Sequence, residues 1–448
     1  MLRSLNSGVS GLRNQQIRLD VLGNNIANVN TIGYKAQRVN FQEQFLQTLR
    51  GGSAPSGALG GTNPSQVGLG VTVGSIDLIM GQGSLNPTGK PTDMAVSGEG
   101  FFVISDGKQQ VYTRDGSFDF DREGNLVKIS NGFKVMGWNA AQQPDGSFKV
   151  ETARPPEPLK VPAGVTLTPK ATQNIRIGSN LEALTPVLDP AETDPAVIAR
   201  SSAKSSVTIY DSKGNVHKGN IEFTKTATNE WKVAFTADSP AEFDPGMTFP
   251  VDIGTVTFDS KGVFDKFDVT TPLVLNPANA GDFDPININL NLGIAGDQSA
   301  MTQYNDPRTD QSKNFYNSTA VMVDQDGYSS GSLTGVAVDA SGTIQGVFSN
   351  GRTRVLGQVA VATFTNPVGL LINGDNLFAA TPNSGEPQVG VAGSGSRGLI
   401  APGSLENSNV DLASSFADMI VAQRGLQSNS KIITTSDEVL QELMSLKR

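Results

Sequence analysis

Apolar residues recur alternately four and three positions apart along the last stretch of the chain, Asn409 to Leu446. The series reads Leu412, Phe416, Met419, Gln423, Leu426, Ser430, Ile433, Asp437, Leu440, Met444. That spacing marks one face of a long helix. Ser408 and Asp411 stand in capping-box spacing before it, and Lys447 and Arg448 end it with charges that suit the helix dipole. Leu5, Val9, Leu12, Gln16, Leu19, Gly23 and Ile26 repeat the pattern at the start of the chain. Polar or small residues interrupt both series. The two ends are expected to pack on each other as a coiled-coil-like stem, with the rest of the chain inserted in it. The alternative is that each helix docks on its own globular core. An isolated helix is marginal in water without packing, so the ends are expected to order mainly on meeting other copies of the chain. Thr435 and Glu438 form a second capping-box spacing, which leaves a break in the second helix open.

The first helix should stop near Asn28. The segment 24–35 is dense in Asn, whose side chain competes for backbone hydrogen bonds, and Gly33 supplies a conformation that other residues avoid. Phe41, Phe45, Leu46 and Leu49 suggest a short amphipathic piece. Arg50 to Gly70, rich in Gly, Ser, Pro and Asn, reads as a flexible excursion. From Gly81 to Trp138, short strands alternate with turns at Asp106-Gly107, Asp115-Gly116, Gly124-Asn125 and Asn131-Gly132. Arg154-Pro155-Pro156-Glu157-Pro158 and Asn305-Asp306-Pro307 read as linkers around a separate β-rich unit. Period-two alternation marks that unit at Val207–Tyr210, Ile221 and Phe223, Trp231-Val233-Phe235, Val256 and Phe258, and Ile286–Leu292. Strands return from Gln311 to Pro402, with turns at Asp326-Gly327, Ser341-Gly342 and Asn350-Gly351.

Composition narrows the chemistry. A chain of 448 residues allows two to four domains. It has no cysteine, which removes disulfides and thiolate metal sites, and one histidine, His217, which removes His-based triads and multi-histidine metal centres. The net charge of −9 with no basic stripe makes nucleic acid and anionic membrane poor partners. No apolar run reaches membrane-span length. Asn6, Ser7, Gly8 and Ser10 interrupt any secretory h-region, so export through a signal-independent channel, or residence in the cytoplasm, is expected. Asp119, Asp121 and Gly124 brush a calcium-loop pattern, but Ser130 stands where its final acid belongs. Gly393, Gly395 and Gly398 match a dinucleotide loop only by count, with no preceding strand–helix unit and with Pro402 following. No nucleophile motif, phosphate loop or metal spacing appears. Neither a cofactor nor catalysis is expected, and a β-rich binding protein or enzyme is the remote alternative.

Three strings carry a resemblance. Asn25, Ala27, Asn28, Thr31, Gly33, Tyr34 and Lys35 resemble the N-terminal signature of the axial proteins of the bacterial flagellum, the rod and hook proteins. Gly98–Phe102, Tyr112–Phe118 and Gly124–Leu126 resemble the family's β-rich domain next to the stem. Leu405, Glu406, Ser408, Asn409, Val410 and Asp411 resemble its C-terminal signature. Val207 to Phe223 with Trp231 resembles, less specifically, the outer domain of hook proteins. One departure is Gly425-Leu426, where the family usually has an aromatic. The large insertion favours a hook protein over a distal rod protein, the nearer alternative.

The resemblance implies a helical homopolymer: a curved tube that joins rod to filament and transmits torque while it bends. The stem would line its channel and the β domains would form its outer layers. Rod proteins, a hook cap, hook–filament junction proteins and the flagellar type III export apparatus are the implied partners. The expected fold is multidomain and mainly β, with nested barrel- or sandwich-like domains between the terminal helices. The expected division is 1–30 with 405–448 as the stem, 31–80 as a spacer, 81–145 with 312–404 as an inner β domain, and 146–311 as an inserted outer β domain.

Overall fold

The computed structural model describes residues 2–55, 57, 60–143, 147–162, 164–279, 281–295, 297, 300–313 and 315–445. Lys447 and Arg448 lie outside them. The chain is mainly β, with helices at its two ends, and separates into two compact units. One comprises Met1–Ala163, Gly335–Val347 and Thr353–Arg448. The other comprises Gly164–Thr334 and Phe348–Arg352. Three α-helices occur among the described residues: α1 (Leu2–Ala27), α2 (Pro195–Arg200) and α3 (Leu412–Ser445).

In the first unit α1 and α3 pack together, and a two-stranded antiparallel ribbon, Gln37–Glu43 with Val71–Leu78, lies against α1. Beyond the ribbon, Leu46–Arg50 pairs with Ser65–Gly68, and Ser53 bridges Thr62. The expected amphipathic piece and flexible excursion are therefore largely a second hairpin. Gly-rich composition did not prevent cross-strand pairing by the β-branched and polar residues that flank it. The body of the unit is an antiparallel sheet in which Thr353–Thr363, Lys134–Gln142, Phe101–Ser105, Gln110–Thr113 and Leu377–Ala379 are successive neighbours. Phe101, Tyr112, Trp138, Phe364 and Phe378 fill its core. Phe101 meets Phe364 and Phe378 edge to face at 5.9 and 5.4 Å between ring centres, the arrangement that the ring quadrupoles favour.

In the second unit five consecutive strands, Ser202–Tyr210, Val216–Ala227, Glu230–Ala237, Val251–Phe258 and Phe264–Val269, form an antiparallel meander. Four more make a sheet in the order Leu273–Leu275, Ile286–Asn291, Asn174–Gly178, Val321–Gln325. The inward residues of both sheets, among them Ile175, Ile209, Phe223, Trp231, Val256 and Ile288, share one core. Burial alternates residue by residue along Ile286–Asn291 and most of Val216–Ala227, as the sequence pattern demands.

One turn device recurs in four hairpins. Asp121, Asp211, Asp259 and Asp339 each accept from the backbone N–H groups two and four residues ahead, at 2.8–2.9 Å. Gly124, Gly214, Gly262 and Gly342 follow three residues after each Asp, with φ between +77° and +88°. The acid fixes the loop and the glycine supplies its left-handed residue.

One expected turn and one expected linker have other roles. Asp115-Gly116 is no hairpin: Asp115 is buried, and a Cβ on Gly116 would lie 1.5 Å from the Met94 carbonyl oxygen. Asn305-Asp306-Pro307 is a pinned turn inside the second unit. Its Asp306 carboxylate accepts from Arg308 at 2.7 Å and Asn317 at 2.9 Å, and its N–H donates to buried Glu182 at 2.6 Å.

Candidate assembly site: the paired helices and the knot at their base

Helices α1 and α3 run antiparallel. Ser4 faces Ser436, Gly8 faces Ile433, Gly11 faces Asn429, Gln15 faces Gly425 and Arg18 pairs with Asp418 at 2.9 Å. Rising numbers on one helix meet falling numbers on the other. The contact is built from small and polar residues. On α3, Ser415, Ala422 and Ser436 are its buried residues and lie on the same seven-residue repeat as Asn429. On α1 the glycines let the backbones approach: a Cβ on Gly8 would lie 3.2 Å from Ile433 Cγ1, and one on Gly11 would lie 2.7 Å from the Asn429 side chain.

Apart from Ile433, which meets Gly8, this seam is not the apolar series read from the sequence. It lies one residue earlier on both helices. Leu5, Val9, Leu12, Leu19 and Ile26 are half-buried, as are Met419, Leu426, Ile433 and Leu440, while Leu412, Phe416 and Met444 are exposed. Successive residues on a helix are about 100° apart. Reversing one helix of a pair reverses its sense of rotation as seen along the pair. Positions one step past the seam therefore fall on the same side of both helices, and the two apolar series form one continuous strip. On the other flank of α1, Ser10 and Asn14 contact Val71 of the ribbon, with Asn14 Nδ2 donating to the Val71 carbonyl at 2.5 Å. The ribbon thus lies on the polar flank, on the side away from the half-buried apolar strip. The helix α3 does not break at Thr435, whose hydroxyl bonds back to the Lys431 carbonyl at 2.8 Å within an unbroken helix.

At the base of the pair the two signatures meet in a polar knot. Buried Asn25 donates to the Gln37 carbonyl at 2.8 Å and accepts from the Gln37 N–H at 3.0 Å and the Tyr34 hydroxyl at 3.2 Å. Asn28 folds back on the Asn24 carbonyl and accepts from Thr31. Gly33, with φ +68°, donates its N–H to the Glu406 carbonyl at 2.8 Å, and a Cβ there would lie 2.7 Å from the Asp115 nitrogen. Lys35 Nζ meets Glu406 Oε1 at 2.6 Å and the Gly81 carbonyl at 2.9 Å. Glu406 also accepts from the Gly83 N–H at 2.8 Å and from Arg114 at 3.2 Å. Asn409 accepts from the Ala36 N–H and donates to the Ile79 and Gly81 carbonyls.

Lys35 and Arg114 both have pKa values pushed down by desolvation and partly restored by Glu406. One buried carboxylate thus serves two buried cations. Leu405 sits in the strand Ser404–Glu406, paired with Leu85–Pro87, while Ala27 is an exposed last residue of α1. Asp411, rather than Ser408, caps α3, accepting from the Ala413 N–H at 2.9 Å. Asn409 is held by the ribbon, so the helix starts three residues later than the capping-box spacing suggests.

The series of small residues went unread in the sequence because hydrophobic periodicity does not weigh Gly, Ser and Asn. The sevenfold spacing of Ser415, Ala422, Asn429 and Ser436 was the available signal. Arg114 stood inside a matched string, but its partner lies 292 residues away. His217, the lone histidine, is buried in the second unit between Asp211 and Glu242, remote in sequence from the knot. No group of three or more metal-ligating side chains occurs among the described residues.

Four family models match the chain. Residues 5–35 match the flagella basal body rod protein model, and 95–183 match the flagellar hook protein FlgE/F/G D1 domain. Residues 179–328 match the flagellar basal body protein FlaE D2 domain, and 401–446 the flagellar basal body rod FlgEFG protein C-terminal model. The flagellar hook protein FlgE of Borreliella burgdorferi is 41% identical, with 100% of each chain covered. FlgE of Salmonella typhimurium is 35% identical over 99% of this chain and 100% of its own. The flagellar basal-body rod protein FlgG of Bacillus subtilis is 29% identical over the full length of both. With matches at both chain ends, through both β units and over full-length relatives, this chain belongs to the flagellar hook protein FlgE family.

Proposed function

We propose that the chain is the structural subunit of a flagellar hook, a tube that copies of it build by repeated contacts of their helix pairs. The observation that supports this reading is the apolar strip along α1 and α3, half-buried over most of its length and exposed at Leu412, Phe416 and Met444. Each apolar side chain moved from water to full burial contributes about 1.5–3 kcal/mol, so neighbouring copies have a continuous surface to gain. Contacts between unlike surfaces that do not close on themselves give a helical tube. The subunit acts outside the cell, after export, as a flexible coupling between rod and filament that transmits torque. Rod proteins, the hook cap, the junction proteins and the flagellar export apparatus are its proposed partners, and no catalytic step is assigned to it.

A distal rod role is the second reading, supported by the FlgG match. Immunogold labelling of isolated hook–basal bodies separates the two, since hook label lies beyond the rod. Sedimentation tests the assembly itself. Full-length chain should form pelletable polymer, and chain lacking residues 1–30 and 405–448 should stay monomeric. Polymerisation of the truncated chain would remove the stem from the mechanism.

A further inference from the structure

Three Asn-Gly pairs occur in the chain, at Asn131-Gly132, Asn350-Gly351 and Asn373-Gly374. Asn is a heat-labile residue, and a glycine after it, with no Cβ, leaves its backbone nitrogen open to the Asn side chain. The fold treats the three pairs differently. In the first, the Gly132 N–H donates to the Lys128 carbonyl at 2.8 Å, and the Asn131 side chain accepts from the Phe133 N–H at 3.2 Å. In the second, the Gly351 N–H donates to the Phe348 carbonyl at 2.9 Å. The Asn350 side chain donates to the Ser329 carbonyl at 2.7 Å and accepts from the Arg352 N–H at 3.1 Å. In both pairs the glycine nitrogen and the Asn amide are tied down.

Asn373-Gly374 lies in the exposed tip of the hairpin that pairs Leu371–Ile372 with Leu377–Ala379. Among the described residues, the Gly374 N–H and the Asn373 side chain take part in no hydrogen bond. A Cβ on Gly374 would have nothing within 4 Å. The other groups of the tip are all fastened. The Asn373 N–H donates to the Leu377 carbonyl at 2.9 Å, and the Leu377 N–H to the Gly374 carbonyl at 2.8 Å. Asp375 and Asn376 are left-handed, with φ of +48° and +56°. The Asp375 carbonyl accepts from Lys128 Nζ at 2.6 Å, and the Asn376 carbonyl from the Thr113 hydroxyl at 2.9 Å. The Asn376 side chain donates to the Ile32 carbonyl at 2.7 Å. Ile32 directly precedes Gly33 of the knot, so the tip clasps the turn at the base of α1.

We propose that Asn373 is a site of spontaneous deamidation, and that the reaction loosens this clasp. The Gly374 nitrogen gives its proton to hydroxide and attacks Asn373 Cγ. The bond from Cγ to the side-chain nitrogen breaks, and that nitrogen takes a proton from water and leaves as ammonia. The product is a five-membered imide, which water opens at either carbonyl. One opening gives an aspartate. The other gives an isoaspartate, whose main chain runs through the former side chain and gains a methylene. The net change consumes one water and releases one ammonia, with no oxidant or reductant. Both products put a carboxylate close to Asp375, and the isoaspartate lengthens a loop that is pinned at both ends and to the turn below α1.

Full-length soluble chain, aged at mildly alkaline pH, digested and mapped by mass spectrometry, tests the site. Exchange of amide for acid at Asn373 should run about tenfold faster than at Asn131 or Asn350, where hydrogen bonds must break before the attack. In denaturant the three sites should react at similar rates, because each is an Asn followed by Gly. Equal rates in the folded chain, or a slowest Asn373, overturn the site. The clasp has its own readout. Hydrogen exchange over residues 28–34 should quicken in aged wild type and stay unchanged in Asn373→Ser aged in the same way. Unchanged protection there in the deamidated wild type, or equal loosening in Asn373→Ser, overturns the coupling to the clasp.

Discussion

Lys35 and Glu406, 371 positions apart, meet at 2.6 Å with side chains 1% and 0% exposed. The pair closes the chain on itself where it leaves α1 and where it returns to α3. Arg114 of the β body binds the other Glu406 oxygen, so one carboxylate joins both ends of the chain to the sheet. Removing one partner of a buried pair leaves an uncompensated charge, at a cost of about 3–5 kcal/mol. Glu406→Gln should therefore destabilise the first unit by about that amount, read as a lower denaturant midpoint at unchanged slope. Lys35→Met removes a cation along with its desolvation cost and should be milder. An equal loss in the two variants would contradict the assignment of Glu406 as the shared centre.

Gly33 tests the backbone of the same knot. Its positive φ and the 2.7 Å approach to the Asp115 nitrogen leave no room for a Cβ. Gly33→Ala should cost about 1–3 kcal/mol from the left-handed conformation alone, with the backbone contact adding to it. Hydrogen exchange should show the loss concentrated in the last turn of α1 and the first turn of α3. Uniform loss over the whole unit would argue against a local hinge.

Gly425 explains the departure from the family's aromatic. A Cβ there would meet Gln15 Cδ at 3.1 Å and Nε2 at 3.2 Å, so the glycine makes space for Gln15 between the helices. Gly425→Ala should be nearly neutral. It gains up to about 1 kcal/mol in helix propensity, and the flexible end of Gln15 moves aside. Gly425→Phe should force the helices apart and abolish polymer formation, and Gln15→Ala should rescue it in part. Normal polymer from Gly425→Phe alone would show that the seam tolerates bulk.

Asp326 sets an acid limit on the second unit. Burial raises its pKa, but bonds from the Asn174 and Gln173 N–H groups, the Asn174 side chain and Lys170 outweigh this and lower it to about 2. A carboxylate with a depressed folded pKa contributes stability above its unfolded value, near 3.9. That contribution is lost as pH falls from there towards about 2. After solvent screening it amounts to about 1–2 kcal/mol. Chemical denaturation at pH 6 and pH 2.5 should therefore show a smaller acid-induced loss in Asp326→Asn than in wild type. An identical loss would remove Asp326 from the acid response.

The hairpin at Leu46–Arg50 and Ser65–Gly68 carries Phe45, Leu46 and Leu49 exposed. As a proposed compliant contact between neighbouring subunits, it should matter to curvature. Deleting residues 51–61 should stiffen or straighten assembled hooks in electron micrographs and reduce motility. Unchanged curvature and swimming would assign the hairpin no part in bending.

What the sequence determined follows from local physics. Two four-three periodicities fix two helices, because burial of one face is the only way such a pattern is stabilised. Alternating Val, Ile and Phe fix strands, and each Asp-x-x-Gly fixes a turn through bonds inside five residues. The signature strings identified the family, yet they did not disclose that Gly33 and Lys35 bind Glu406 or that Asn409 binds the Ala36 N–H. Those contacts span more than 350 residues, and no local pattern encodes a partner at that distance. Tertiary structure also decided which face of the stem is internal. Periodicity selects the most apolar face as the contact, but close backbone approach selects the smallest one. Gly8, Gly11, Gly425, Ala422 and the serines let the two helices meet there, and the apolar strip lies beside that contact.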